Sequence, residues 1–153
     1  SLIASFFVLM ALTRRFSTSA VIIRPVALAG IWVVGTMALV GLNWNVLTVM
    51  ITALTIGLGI DYSIHMWRRF EDELDKGADR VHAMSNAYEI TGAALMMSAF
   101  TTASGFLVLL LSPVPVIQDF GFVSAASVGL SLILALFVLP ALLLSEAKAR
   151  GIR

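Results

Sequence analysis

Cysteine is absent, tyrosine and histidine occur only twice each, and charged residues make up 12% of the 153 positions. Without cysteine there is no disulfide framework and no thiolate metal site. The charge deficit excludes more, because soluble domains carry about 25% charged residues and need them to cover their surface. Disorder is excluded too, since it requires low hydrophobicity and high net charge. Ten Lys and Arg against nine Asp and Glu leave a net charge of +1, with no basic excess to track phosphates, so we expect no nucleic-acid partner. No basic leader precedes the apolar residues that begin at Leu2, and Ser1 reads as a cut into a longer protein rather than the start of a signal peptide. Internal repeats and low-complexity segments are also missing, which leaves one helical unit over residues 1–153 without a soluble domain.

What is present is apolar: 59% of residues are hydrophobic and the mean hydropathy is +0.98. A bilayer core of about 30 Å takes about 20 residues at 1.5 Å rise. Five apolar runs are visible, over residues 2–12 (truncated), 21–42, 46–67, 90–111 and 116–144. The expected fold is therefore all-α, a polytopic transmembrane bundle of five helices. In the second run Ser17, Thr18 and Ser19 are available as caps, and Pro25 is placed in the first turn, where a proline is tolerated. Residues 68–80 read as the third helix running on past the membrane until Gly77 stops it, followed by a helix near the headgroups, or else as a solvated loop.

Arg14, Arg15 and Arg24 flank the first break, Arg68, Arg69, Lys76 and Arg80 lie in or beside the third, and Lys148, Arg150 and Arg153 follow the last run. All ten bases thus fall on one side, which the positive-inside rule makes cytoplasmic. The chain is expected to start outside and end inside the cell membrane, with Trp44 as an outer interfacial anchor.

Small residues at four-residue spacing mark faces where helices approach closely in lipid. Gly121, Ala125 and Gly129 form one such stripe, and Ser127, Ser131 and Ala135 another. The fourth run carries Thr91, Ser98, Thr102 and Gly105 along one side. It is the most polar of the five and the expected wall of a hydrated seam, with Ser98 and Thr102 as candidates. Most such hydroxyls satisfy themselves on the i−4 carbonyl. Pro140 should free a carbonyl and bend the last helix.

The third run contains the one acid that lies deep within a run, Asp61, about 10 Å of helix before Arg68. A charge at that depth costs about 2.5–3.5 kcal/mol on insertion scales, so it must face a partner or water. A carboxyl group leaving water favours its neutral form, and an acid whose surroundings alternate can load and release a proton. The bland reading is a structural bond to a Ser or Thr of the fourth run. Tyr62 diverges from Asp61 by about 100° around the helix, so the two should seek separate partners. His65, one turn further on Asp61's face, is a possible relay or simply an interfacial residue. Gly57 and Gly59 thin the helix ahead of Asp61 and let a backbone or water approach.

The run Gly57-Leu58-Gly59-Ile60-Asp61-Tyr62-Ser63-Ile64-His65 is followed, in order, by residues 69–77, Thr91-Gly92-Ala93-Ala94, and Ser98-Ala99-Phe100-Thr101-Thr102-Ala103-Ser104-Gly105-Phe106. After these come Ser112-Pro113, Phe120-Gly121 and Leu139-Pro140-Ala141-Leu142. The whole pattern resembles the RND superfamily of exporters, above all its MmpL-type branch, which shares sterol-sensing-domain helices with Patched-like proteins and hopanoid transporters. The resemblance implies that the runs are helices 2–6 or 8–12 of a twelve-helix transporter built of two similar halves. It also implies export of lipids or other hydrophobic compounds driven by protons, with protons as coupling ion and no other cofactor. Asp61 would be a proton carrier and Tyr62 its pair-forming partner, each reaching the equivalent pair in the other half. The partners implied are that half, the porter domains of the same transporter, the hydrophobic substrate and the membrane lipids.

Two rivals are weighed against this. Gly57 to Asp61 and Pro140-Ala141-Leu142 are similar to the GxGD and PAL motifs of intramembrane aspartyl proteases, but an extra residue separates Gly59 from Asp61. An aspartyl dyad also needs a second carboxylate, and Asp61 is alone at depth, so an enzyme is not expected. The other rival is a non-transporting sterol- or lipid-sensing module or scaffold, which has no evident need of a buried acid.

Overall fold

The computed structural model describes residues 7, 9, 10, 16–41, 46–149 and 151. All elements among them are helical: α1 (Phe16–Val40), α2 (Val46–Asp75), α3 (Arg80–Ala87), α4 (Ala93–Val108), α5 (Pro115–Ile133) and α6 (Leu139–Ala149). A π-helical turn, Tyr88–Gly92, joins α3 to α4, a second, Leu134–Val138, joins α5 to α6, and a 3-10 turn, Leu109–Leu111, ends α4. The result is four helices long and apolar enough to span a membrane. The run over residues 2–12 falls largely outside the described residues, so a fifth spanning helix is not among them. The connection that carries Trp44 also lies outside them, as do Arg14, Arg15, Arg150 and Arg153.

The α1 boundary departs from the sequence expectation. The helix starts at Phe16, so Pro25 sits inside it instead of in its first turn. Thr18 and Ser19 are fully buried within the helix, and the Thr18 hydroxyl donates to Glu146 Oε1 of α6 at 2.9 Å. A partner on the far side of the sequence thus draws the first turns of α1 into the bundle. Inside a water-free bundle the carbonyl that Pro25 leaves unbonded is tolerated through neighbouring groups.

α2 is a single 30-residue helix that carries the third apolar run and the charges after it. Gly77 takes φ +90° and ends it, with Gly77 N donating to Leu74 O at 2.9 Å and Ala78 N to Glu73 O at 3.2 Å, a Schellman arrangement. At the start of α3, His82 bonds Asp79 and holds its carboxyl below the usual carboxylate range. α3 docks on the bundle through Ala83, Met84 and Ala87, which join Phe70, Leu143 and Ala147 in the main core. Glu73 fastens this end. It accepts from Lys76 Nζ at 2.7 Å, from Arg69 at 3.1 Å and, across the turn, from Asn86 Nδ2 at 3.0 Å.

α5 is the hub, packed on α1, α2 and α4. Its seam with α2 is polar and parallel: the buried hydroxyls of Thr55 and Ser127 bond each other, and Gly59 lies beside Ser131 one turn on. Pro140 lacks the N–H that would bond the carbonyl of Leu136, and the chain absorbs that loss in the π-turn around it. The helix formed by α3 and α4 is the least enclosed of the four spans, and α5 with α6 the most.

Candidate functional site

Leu58, Asp61, Tyr62 and His65 recur at the i, i+3, i+4, i+7 spacing of one helix face, and α2 turns that face toward the π-turn and the first half of α4. Between them lies a cleft of about 480 Å³, bordered on the far side by Ile90, Thr91, Ala94, Leu95 and Ser98. The geometry separates the two neighbouring acidic and phenolic groups. Tyr62 turns inward and is buried at 4% exposure, part of the main core, whereas Asp61 and His65 are exposed along the cleft. The Tyr62 phenolic oxygen is enclosed, with the Ser98 side chain as its polar neighbour across the cleft. An enclosed hydroxyl needs a polar partner, and Ser98 is the side chain placed to supply one. Asp61 has the converse problem. It lies on the outer side of an apolar span, where a carboxylate needs water or another protein surface.

Of the remaining sequence candidates, Thr102 stands one turn along α4 from Ser98 and does not border the cleft. Its hydroxyl donates to the Ser98 carbonyl at 2.9 Å, the self-satisfying bond open to any Thr in a helix. The four glycines divide. A Cβ on Gly121 would stand 2.6 Å from the Phe106 carbonyl oxygen and 2.7 Å from Leu109 Cβ, so α5 crosses the end of α4 at a distance only glycine permits. On Gly59 it would meet Val26 and Ser131 at 3.5–3.6 Å, an ordinary contact. Gly57 and Gly105 have no atom within 4 Å of that position, so they do not close-pack against described residues of this chain. No group of three metal-ligating side chains forms among the described residues.

Sequence reasoning did not find the π-turn, which supplies Ile90 and Thr91 to the cleft, because no residue pattern announces a one-residue expansion of a helix. Ser127 was legible as part of a small-residue stripe, but its bond to Thr55 was not.

Residues 1–151 match the profile of the MMPL family. The chain belongs to that family. A membrane protein of Methanocaldococcus jannaschii is 35% identical over 147 residues, 96% of this chain and 38% of that protein. The hopanoid transporter of Rhodopseudomonas palustris is 31% identical over 65% of this chain and 11% of its own length. The exporter of mycolic acid-containing lipids of Mycolicibacterium smegmatis is 28% identical over 95% of this chain and 16% of its own. This MMPL chain therefore matches well under half the length of these relatives. It is a helical membrane segment of the RND superfamily, similar to a hopanoid transporter and to an exporter of mycolic acid-containing lipids.

Proposed function

We propose that the chain is one transmembrane half of a proton-driven exporter of lipids or other hydrophobic compounds, and that Asp61 and Tyr62 carry its proton. The observation that supports this most directly is the opposed placement of the two groups: a carboxyl group on the outer side of the bundle and, beside it, a phenol enclosed in the core. Ionised, Asp61 requires water or a polar neighbour; protonated, it tolerates an apolar one. Each proton taken up or lost therefore changes which surface the outer face of α2 prefers. α2 is bonded to α5 through Thr55 and Ser127 and to α3 through Glu73 and Asn86, so that preference reaches the rest of the half. The other half and the porter domains of the same protein are the partners that would turn this into transport across the cell membrane. The charged end, where α2 and α6 finish, is the cytoplasmic one in this reading.

The test is Asp61→Asn in the full-length protein, an isosteric change that cannot ionise. Export driven by a proton gradient is expected to fall by a factor of roughly 100 or more, the scale of a lost proton-transfer group. Export and gradient dependence equal to wild type would remove the proton-carrier role. A protein that binds lipid but moves none under any gradient would favour the sensing module instead.

A further inference from the structure

Asp61 lies about 10 Å of helix from Arg68, the first residue of the charged end, a gap too long for a single proton transfer. His65 divides that gap. Resting on the reading of Asp61 as proton carrier, we propose that the cleft between α2 and the π-turn is a hydrated proton exit and that His65 is the relay along it.

Three observations carry this. Asp61 and His65 are one helical turn apart, with side chains on the same face, and both border the same cleft. Its volume of about 480 Å³ has room for on the order of ten waters, and its polar groups, Thr91 and Ser98 included, can hold them. The π-turn opposite supplies part of the wall, a backbone form that recurs at functional sites.

The chemistry balances without a co-reactant. The Asp61 O–H bond breaks and its proton passes through water to one ring nitrogen of His65, forming an N–H bond. The proton on the other ring nitrogen then leaves to water on the Arg68 side, and reorientation of the neutral ring restores the start. Imidazole suits the step because one nitrogen accepts while the other donates. The other titratable side chains lining the cleft are Asp61 and Tyr62, both on α2; the π-turn and α4 line it with none among the described residues. Arg68 and Glu89 lie one step beyond on their respective elements, both exposed.

The experiment uses the full-length protein in liposomes with a pH-sensitive dye, comparing wild type, Asp61→Asn, His65→Ala and His65→Gln. His65→Ala is expected to slow proton flux at least about tenfold, and added imidazole on the side of the charged end should restore most of it. His65→Gln should show the same slowing and lose the rise and fall of flux with pH near neutrality. Unchanged flux in His65→Ala, slowing that imidazole does not relieve, or a wild-type pH profile in His65→Gln would each overturn the proposal. Wild-type flux in Asp61→Asn would instead remove the carrier role on which it rests, so the two failures are separable.

Discussion

Gly121 and Gly57 show how little a residue type says without its neighbours. Both lie in apolar runs and both read as thin points of a helix, yet one touches the backbone of α4 and the other faces open space. Replacing Gly121 with Leu would drive a side chain into the Phe106 carbonyl, at a crossing where Phe106 and Phe120 also meet edge to face at 6.0 Å. Such overpacking costs about 1–3 kcal/mol, and thermal unfolding in detergent should register it as a lower midpoint. Gly57→Ala meets nothing and removes the glycine penalty of a helix interior, so the same measurement should show a gain of about 0.5–1 kcal/mol. Asp61 differs from both, because one acid deep in an apolar run stands out at any level of description. The sequence located it and predicted that Tyr62 would diverge from it. That Tyr62 is the buried member and Asp61 the exposed one depended on where α4 lies.

Helix boundaries followed the apolar runs where turn chemistry was local, and moved where a distant partner intervened. Gly77 ends α2 by its own backbone conformation, a signal readable from one residue. α1 begins five residues before the apolar run at 21, and Thr18 within that added turn is bonded to Glu146, 128 positions away. The same holds at the turn between α2 and α3. Arg69 and Lys76 stand at helical spacing from Glu73 and could be paired with it on paper, but Asn86 arrives from the next helix. Glu73→Ala should release that end of α3. Losing the acceptor that ties Asn86 to α2 leaves α3 held by packing, so amide hydrogen exchange over residues 80–87 is expected to quicken by roughly a few-fold. Exchange unchanged within error would mean that Ala83, Met84 and Ala87 hold α3 by packing alone.

At the scale of the whole bundle, the lack of cysteine in these 153 residues becomes an experimental asset. A single cysteine at Ala78, between α2 and α3, and another at Pro113, between α4 and α5, report on opposite ends of the bundle without background from thiols in this stretch of chain, once any cysteine elsewhere in the full-length protein is replaced. If the charged end is cytoplasmic, an impermeant maleimide applied to intact cells should label Pro113→Cys and spare Ala78→Cys, and the reverse pattern would invert the topology. Composition and the length of the apolar runs determined that the chain belongs in a bilayer as helices, because lipid leaves backbone groups only internal partners and runs of about 20 residues suit a helical span. Charge placement and one acid determined the expected orientation and the residue on which the proposed mechanism turns. Tertiary structure decided the rest: which helix face meets which, that α5 is the central helix, that a π-turn forms the far wall of the cleft, and that His65 shares that cleft with Asp61. Those features arise from contacts between residues far apart in sequence, and the sum of such contacts, not the pattern of any one segment, selects among the packings that equally apolar helices could adopt.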